Sequence, residues 1–363
     1  MELSSLNPEQ RRAVRTVDGP LLILAGAGTG KTRVITSRVA YMISRGIRPR
    51  NILAVTFTNK AAREMKERVR SLVPKRRLVD KDGQAEKPTI CTFHSLCVRI
   101  LRRHITKLGY KKNFVIYDEA EQLGVVRRIL SHISLGSKKP DPYAVLSLIS
   151  RWRNTNSDEL IAEDQDLAAL AKHLVSAYQQ MLKASNAVDF DDLILLVLRL
   201  FAEHPGALDE CRERYRYIMV DEYQDTNNSQ FELVHSLARE HRNFCVVGDD
   251  DQSIYGWRGA EVANLLDLDK YFPDVKVVKL EQNYRSTNTI LEAANAVIKN
   301  NVQRREKKLW SNKGAGEPIT LWEFRDDEEE AQALVEEINF NRSIKKVKWR
   351  EQAILFRTNQ QSR

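Results

Sequence analysis

The chain has 363 residues, of which 42% are hydrophobic, so it is long enough for about two or three domains with cores of their own. Lys and Arg outnumber Asp and Glu by 58 to 49. No apolar run approaches the roughly 18 residues of a membrane span, and the first ten residues, MELSSLNPEQ, lack a signal-peptide core. These features predict a cytoplasmic protein without membrane contact.

The basic residues are concentrated at the start of the chain. Residues 1–112 contain 25 Lys and Arg against 8 Asp and Glu, and the remainder contains 33 against 41. This asymmetry fits a polyanion-binding face and fits a solubilising surface on basic helices equally well. Four cysteines occur without C-x-x-C spacing or a histidine pattern that would complete a zinc site, which predicts free thiols in a reducing compartment: Cys91, Cys97, Cys211 and Cys245.

The first predicted strand, LLIL at 21–24, runs directly into AGAGTGKT at 25–32. Glycines at alternate positions let backbone N–H groups cradle phosphate oxygens, and the following helix N-terminus adds a favourable dipole. Lys31 would contact the β- and γ-phosphates, and the Thr32 hydroxyl would bind magnesium. The usual phosphate-loop pattern opens with glycine, whereas this one opens with Ala25.

Short, nearly continuous apolar runs recur along the chain and alternate with amphipathic segments. That pattern predicts buried parallel strands in an α/β fold, with functional residues at the carboxyl ends of the strands. The runs are 21–26, 52–58, 89–95, 217–222, 244–250 and 275–283.

The alternation is interrupted at residues 101–192, where helical periodicity predicts an insertion in the first α/β domain. After residue 283, a helix-like segment at 290–298 and candidate strands at 319–324 and 353–359 predict the start of another α/β domain. The acidic run at 326–330 is expected to form the first turn of a helix.

Polar residues follow two of the predicted strands. Asp221 could hold magnesium through water, and Glu222 could orient or deprotonate an attacking water. In isolation these carboxylates could equally cap a helix. Gln252, after the next strand, is a candidate sensor of the γ-phosphate or of that water.

Aromatic residues at other strand ends are candidates for stacking on nucleic-acid bases. Trp257 lies in a Gly-Trp-Arg-Gly turn beside Tyr255 and Arg258, and it could instead anchor the loop to the core. Phe57 and Phe93 also follow strands. Core packing is an equally good interpretation for Phe57. His94 could equally be a ligand-binding residue or a structural histidine.

Arginine and amide side chains complete the candidate set. Arg285 could stabilise charge in phosphoryl transfer, although a structural salt bridge is the ordinary alternative. Gln10 has the amide geometry to read an adenine edge. Lys60 and the hydroxyls and amides near it could contact nucleic-acid phosphates.

Eight motifs in this order resemble superfamily 1 DNA helicases of the UvrD/Rep/PcrA type, and the resemblance covers essentially the whole chain. The motifs are LNPEQ, AGAGTGKT, TFTNKAAREM, TFHS, DFDDL, VDEYQD, GDDDQSIYGWRG and QNYRS. The resemblance implies a first RecA-like ATP-binding domain at 1–103 and 189–276 with a parallel sheet. It also implies a helical insertion domain at 104–188 and the start of a second RecA-like domain at 277–363.

The same resemblance implies ATP- and magnesium-dependent 3′→5′ movement on single-stranded DNA, and it assigns roles by motif. Gln10 would bind adenine and Tyr284 would stack on it, while Arg285 would be the arginine finger. Nucleotide contacts would come from Ala25, Gly26, Ala27, Gly28, Thr29, Gly30, Lys31, Thr32, Arg33, Asp221, Glu222 and Gln252. The DNA track would include Phe57, Thr58, Asn59, Lys60, Thr92, Phe93, His94, Tyr255, Trp257 and Arg258.

Helicases of this type continue beyond the RTNQQSR region with a T-x-H-x-x-K-G-L-E motif and a final arginine motif. The sequence is therefore expected to be an N-terminal fragment or a naturally short relative that binds nucleotide but unwinds little DNA. Expected partners are single-stranded DNA, single/double-strand junctions and replication or repair proteins, with the chain a monomer or weak oligomer. The alternatives are an ATP-regulated DNA-binding module without a motor and the motor half of a helicase–nuclease subunit.

Overall fold

The computed structural model describes residues 3–79, 84–132, 140–154 and 165–362, apart from the side chains at 258, 359 and 362. These residues form two compact units, 1–314 and 315–363. The strands are β1 Leu21–Ala25, β2 Ile52–Thr56, β3 Thr89–Thr92, β4 Val115–Ile116, β5 Ala187–Val188, β6 Tyr217–Val220, β7 Phe244–Gly248 and β8 Lys276–Leu280.

Helices cover both faces of the sheet and form most of the region between β3 and β6 that the structure describes. They are α1 Pro8–Arg15, α2 Lys31–Ser44, α3 Asn59–Leu72, α4 Phe93–His104, α5 Glu119–Ser131, α6 Pro142–Asn154, α7 Gln165–Ala184, α8 Phe190–Glu203, α9 Pro205–Arg214, α10 Asn228–Ala238, α11 Ala263–Leu266, α12 Leu268–Tyr271, α13 Asn288–Ile298 and α14 Asp327–Ser343.

Six strands form one parallel sheet in the order β3-β2-β6-β7-β1-β8. Each comes from one of the six apolar runs, so the predicted parallel α/β fold is confirmed. Residues of β1, β2 and β7 are buried throughout because helices cover both faces. The first strand lies between β7 and β8, which puts the polar segments after these three strands at one edge of the sheet.

Two large cores occupy the two faces of the sheet. One contains Leu22, Leu53 and Val246, and the other contains Leu21, Ile23 and Val247. Alternate residues of β1 point to opposite faces, which explains why near-continuous apolarity is needed. Between α4 and α8 in the chain, helices α5, α6 and α7 enclose a third core around Tyr178, beside the short pair β4–β5. The domain boundaries given above stay a prediction.

The unit at 315–363 differs from expectation. Its helix α14 begins after Asp326, whose side chain accepts a hydrogen bond from Glu329 N–H at 2.9 Å, so the predicted acidic first turn is confirmed. The predicted strands at 319–324 and 353–359 are wrong for this structure. Among the described residues, neither segment has a ladder partner, and Leu321 and Leu355 are 92% and 93% exposed. Apolar composition alone does not make a strand, because its backbone must also pair.

Candidate functional site

The phosphate loop joins β1 to α2, and its glycines are required by geometry. Gly28 and Gly30 have φ of +71° and +89°, in the left-handed region that other residues avoid. A Cβ on Gly26 would lie 2.4 Å from Leu309 Cδ2. By contrast, Ala25 is the fully buried last residue of β1, so the departure from the usual opening glycine falls where alanine fits.

Lys31 begins α2 and lies against the end of β6. Its Nζ is 2.9 Å from Oε2 of Glu222. Glu222 has φ +52° and ψ +44°, a conformation that costs a non-glycine residue on the order of 1 kcal/mol. This turn is what carries the carboxylate from the strand end to the phosphate loop. The structure therefore brings together the two residues predicted to bind phosphate and to activate water.

Asp221 is buried at the end of β6, and its Oδ1 accepts a hydrogen bond from Glu222 N–H at 3.1 Å. Burial, followed by the neighbouring Glu222 carboxylate, raises the pKa of Asp221 to about 7. Burial and Glu222 also raise the pKa of Asp225 to about 6. Asp221 offers a buried carboxylate oxygen beside the phosphate loop, the type of ligand that Mg²⁺ prefers, and a divalent cation would stabilise its charged form, so this residue fits a magnesium-binding role.

Gln224 links the ends of β6 and β7. Its Nε2 donates to Glu222 Oε2 at 3.1 Å, and its Oε1 accepts from Asp249 N–H at 3.0 Å. Asp249 in turn accepts a hydrogen bond from Gln252 Nε2 through Oδ2. The candidate sensor Gln252 is thus connected to the candidate base Glu222 through two intervening residues, Asp249 and Gln224. A Cβ at Gly248 would lie 2.8 Å from Gln224 Oε1, so this close approach needs glycine there.

The N-terminal helix contacts the other side of the phosphate loop. Gln10 is 1% exposed, and its Nε2 donates to Thr29 O at 2.9 Å. Its Oε1 accepts from Asn7 N–H at 3.2 Å in a capping box. Each end of the side-chain amide therefore has one protein partner, and an adenine contact would use the second N–H and the second lone pair that an amide offers. Arg33, also assigned to nucleotide, donates from NH2 to Ser5 O at 3.0 Å.

The segment after β8 closes over the same loop. Asn283 Nδ2 donates to Ala27 O at 2.7 Å, and Tyr284 N–H donates to Gly28 O at 2.9 Å. The Tyr284 hydroxyl accepts from Asn7 Nδ2 at 3.0 Å, and its ring is 44% exposed. Arg285 is exposed, and its Cβ would be 2.8 Å from a side chain placed on Gly28. The backbone of Tyr284 and the Cβ of Arg285 therefore both lie against the phosphate loop.

Most candidate DNA residues follow β2 and β3, whereas Tyr255 and Trp257 follow β7 in the same segment as Gln252. Asn59 and Lys60 are exposed after β2, with Thr58 capping α3 through Ala61 N–H at 3.1 Å. Trp257 is 73% exposed, and its ring centroid is 6.5 Å from that of Tyr255. Arg258 lies outside the described side chains.

Residues after β3 are less accessible than predicted. Phe93 is 1% exposed and packs in the core, so its assignment as a base-stacking residue is wrong in this structure. Thr92 is buried as well, and its hydroxyl oxygen accepts from Ser95 N–H at 3.2 Å as the cap of α4. Phe57 is half-buried against Phe93, with ring centroids 5.5 Å apart. His94 is half-buried against Phe190, and burial lowers its pKa.

Sequence reasoning missed Gln224, Asn283 and Lys307, which all hold site loops in place. Gln224 and Asn283 lie inside the motifs named above, so their amides next to carboxylates and glycines were a usable signal. Lys307 is 7% exposed and contacts Asp250 across 57 positions of the chain, and nothing in its basic surroundings distinguishes it.

The parallel sheet carries a phosphate loop after β1 and an acidic turn after β6, and Glu222 of that turn contacts Lys31 of the loop. This arrangement defines a RecA-like phosphate-loop protein. Two family models together match nearly all of the chain: the UvrD/REP helicase N-terminal domain over residues 6–273 and the UvrD-like helicase C-terminal domain over residues 278–363. The chain belongs to the UvrD/Rep helicase family.

Curated relatives are similar across the whole chain. It is 46% identical over 365 residues to the ATP-dependent DNA helicase PcrA of Staphylococcus aureus strain NCTC 8325, covering 99% of this chain and 49% of that protein. It is 46% identical over 370 residues to the PcrA helicase of Bacillus subtilis strain 168, covering 99% and 48%. The chain spans about half the length of the curated relatives it matches. No described helix is both long and apolar enough to cross a membrane.

Proposed function

We propose that this chain is the ATP-binding and ATP-hydrolysing part of a 3′→5′ DNA helicase that moves on single-stranded DNA. The observation that carries the proposal is the contact between Lys31 and Glu222, 2.9 Å apart, in a parallel sheet whose next strand delivers Gln252. The relatives named as ATP-dependent DNA helicases support the substrate pair of ATP and DNA.

In this proposal, Lys31 binds the terminal phosphates and Glu222 orients and deprotonates the attacking water. Gln252 senses the γ-phosphate, and Arg285 supplies a charged planar fork next to it. Asp221 and Thr32 would hold magnesium, which neutralises phosphate charge when bound. Tyr284 would stack on the adenine.

DNA would lie over the exposed aromatic and polar groups beyond the nucleotide residues. Trp257 and Tyr255 follow the same strand as Gln252, so a change at the γ-phosphate can alter their grip on stacked bases. Phe57 and Lys60 would contribute from the end of β2. Single/double-strand junctions and replication or repair proteins are the expected substrates and partners.

The test measures binding of a fluorescent ATP analogue and ATP hydrolysis with and without a single-stranded oligonucleotide. Lys31→Ala should weaken analogue binding at least about tenfold and abolish stimulated hydrolysis, because a phosphate-binding charge is lost. Lys112→Ala, at an exposed lysine distant in sequence from the phosphate loop, is the matched control.

Direction is measured by ATP-driven dissociation from oligonucleotides that carry a label at either the 5′ or the 3′ end. Movement in the 3′→5′ direction should bring the protein to the 5′ label, which should therefore give the first signal. ATP-sensitive DNA affinity without directional movement would identify a switch and refute the motor. If the Lys31→Ala variant binds the ATP analogue as tightly as the wild type does, the nucleotide site itself is refuted.

A further inference from the structure

Three consecutive aspartates follow β7 and share one cation from a distant part of the chain. Oxygen atoms of Asp249, Asp250 and Asp251 lie within 4.8 Å of one another, the spacing of a metal site. Nζ of Lys307 lies 2.9, 2.5 and 2.6 Å from the three carboxylates, in that order. The lysine side chain is 3% exposed. The chain thus supplies its own cation to this acidic turn.

The residues around Lys307 reinforce this contact. Arg304 binds Asp251 with two hydrogen bonds of 3.0 Å, and Arg305 N–H donates to Asp250 Oδ2 at 2.7 Å. Burial opposes the charge on Asp251, but hydrogen bonds from Arg304 and Lys307 outweigh it and lower the pKa of that carboxyl. Arg304 would still bind Asp251 if the lysine were lost, but the buried Asp249 and Asp250 would lose the cation that they share.

The same segment also lies against the phosphate loop. Residues 304–311, here called the strap, continue from Lys307 to Leu309, which fills the space in front of Gly26. Trp310 N–H donates to Glu281 O at 3.1 Å, and Trp310 O accepts from Asn283 N–H at 2.8 Å. The strap therefore joins the acidic turn, the phosphate loop and the segment after β8.

A continuous path of hydrogen bonds leads from Lys307 to the candidate sensor. Lys307 contacts Oδ1 of Asp249, and Oδ2 of the same carboxylate accepts the amide of Gln252. Asp249 N–H is bound at the same time by Gln224. Asp249 is thus held at both carboxylate oxygens and at its backbone N–H, so it can fix the rotamer of Gln252, whose amide donates a hydrogen bond to it.

We propose that Lys307 is a positioning residue of the nucleotide site, which holds Asp249 so that Gln252 faces the γ-phosphate of bound ATP. The inference rests on the proposed nucleotide site. It predicts a γ-phosphate-specific effect, because Gln252 would contact only the terminal phosphate whereas the phosphate loop holds ADP as well. A lysine that served the fold alone would alter both nucleotides together.

The experiment measures equilibrium binding of ADP and of the non-hydrolysable ATP analogue AMP-PNP to the 363-residue chain with magnesium. Lys307→Met should weaken AMP-PNP binding about tenfold and change ADP binding less than about threefold, since about 1.4 kcal/mol of γ-phosphate contact is lost. Lys307→Arg, which keeps the charge, should restore most of the difference. Lys308→Met, at the exposed neighbouring lysine, should match the wild type.

A second variant guards against loss of the fold. Lys307→Met combined with Asp250→Asn removes one carboxylate with the lysine, and it should regain thermal stability but not the preference for AMP-PNP. Equal loss of ADP and AMP-PNP binding in this variant, or no loss in either, would overturn the role of Lys307. If the wild type binds neither nucleotide, or if Lys31→Ala changes nothing, the nucleotide site itself fails.

Discussion

Glu222 is the residue whose chemistry depends most on its backbone. Its left-handed conformation directs the carboxylate to Lys31, so this group is positioned both to accept a proton and to restrain the phosphate-binding lysine. Glu222→Gln keeps the shape and loses the basicity. We expect nucleotide binding to be retained and hydrolysis to fall at least about a hundredfold. Glu213→Gln, an exposed control, should leave both unchanged. Undiminished DNA-stimulated hydrolysis by Glu222→Gln would remove the assigned role.

Asp221 gives the stability of the chain a specific pH dependence. Its pKa rises from the ordinary aspartate value of 3.8 to about 7 in the fold, so the folded state binds this proton more tightly than the unfolded state. The contribution of this proton to the free energy of unfolding is fully present below about pH 4 and is lost as the pH rises through about 7. Asp221→Asn mimics the protonated form. Its free energy of unfolding relative to wild type should therefore increase from about pH 5 to about pH 8, by no more than about 4 kcal/mol.

Urea denaturation at several pH values, without divalent ions, measures this difference. Asp166→Asn, at an exposed carboxylate, should give a smaller change over the same range. A wild-type-to-variant difference that stays constant with pH would show that Asp221 is ionised throughout.

At the residue level, proximity within the candidate site could be predicted where the position of a residue at a strand end decides it. Lys31 and Glu222 both follow parallel strands, whose carboxyl ends meet at one edge, so the sequence predicts that they lie near each other, and the structure adds their direct contact. Phe93 could not be placed in the same way. The position after a strand is compatible with exposure or with the first buried turn of a helix, and α4 begins at Phe93. Only the packing of that helix decides between them.

At the level of elements, α6, α7 and α8 are joined by one buried charge network. Arg153 binds Asp189 and Asp192, and the Tyr178 hydroxyl donates to Asp189 at 3.0 Å. The side chains of the arginine and the two aspartates are 2%, 3% and 6% exposed. These two aspartates come from the DFDDL motif, and the structure gives them a role in attaching the helical region to α8.

Removing the arginine should therefore destabilise the fold. Arg153→Met should lower the free energy of unfolding by about 3–5 kcal/mol, because two buried carboxylates lose their partner. Adding Asp192→Asn should recover part of this loss in urea denaturation. Arg127→Met on the exposed face of α5 is the control. An Arg153→Met protein as stable as the control would show that water or rearrangement compensates the carboxylates.

The predictability of the elements follows the same physical rule. The six strands of the sheet were recognisable because burial on both faces requires unbroken apolar runs. Segments 319–324 and 353–359 carry similar runs but lack ladder partners among the described residues, and pairing is a property that composition does not encode. The contacts of the strap could not be predicted either. Its basic residues are typical of an exposed charged segment until the aspartates that they contact in the fold are known.

At the level of the whole molecule, the strand order separates two kinds of site along one edge of the sheet. Strands β6, β7, β1 and β8 lie side by side and carry the candidate nucleotide residues, whereas β2 and β3 lie beyond them with the candidate DNA residues. The segment after β7 belongs to both groups, because it contains Gln252 and, five positions later, Trp257. A nucleotide-dependent movement of this segment would therefore reach the DNA directly.

This arrangement predicts that Trp257 acts on coupling. Trp257→Ala should weaken binding of a single-stranded oligonucleotide by about 1–3 kcal/mol, the usual contribution of base stacking to binding free energy. Basal hydrolysis should change little, while DNA-stimulated hydrolysis should fall. Tyr143→Ala, which removes a 54% exposed aromatic ring from α6, is the matched control. Equal loss of basal and stimulated hydrolysis would mean that the tryptophan supports the Gln252 segment instead of contacting DNA, and the separation of the two sites along the sheet would then not describe how they communicate.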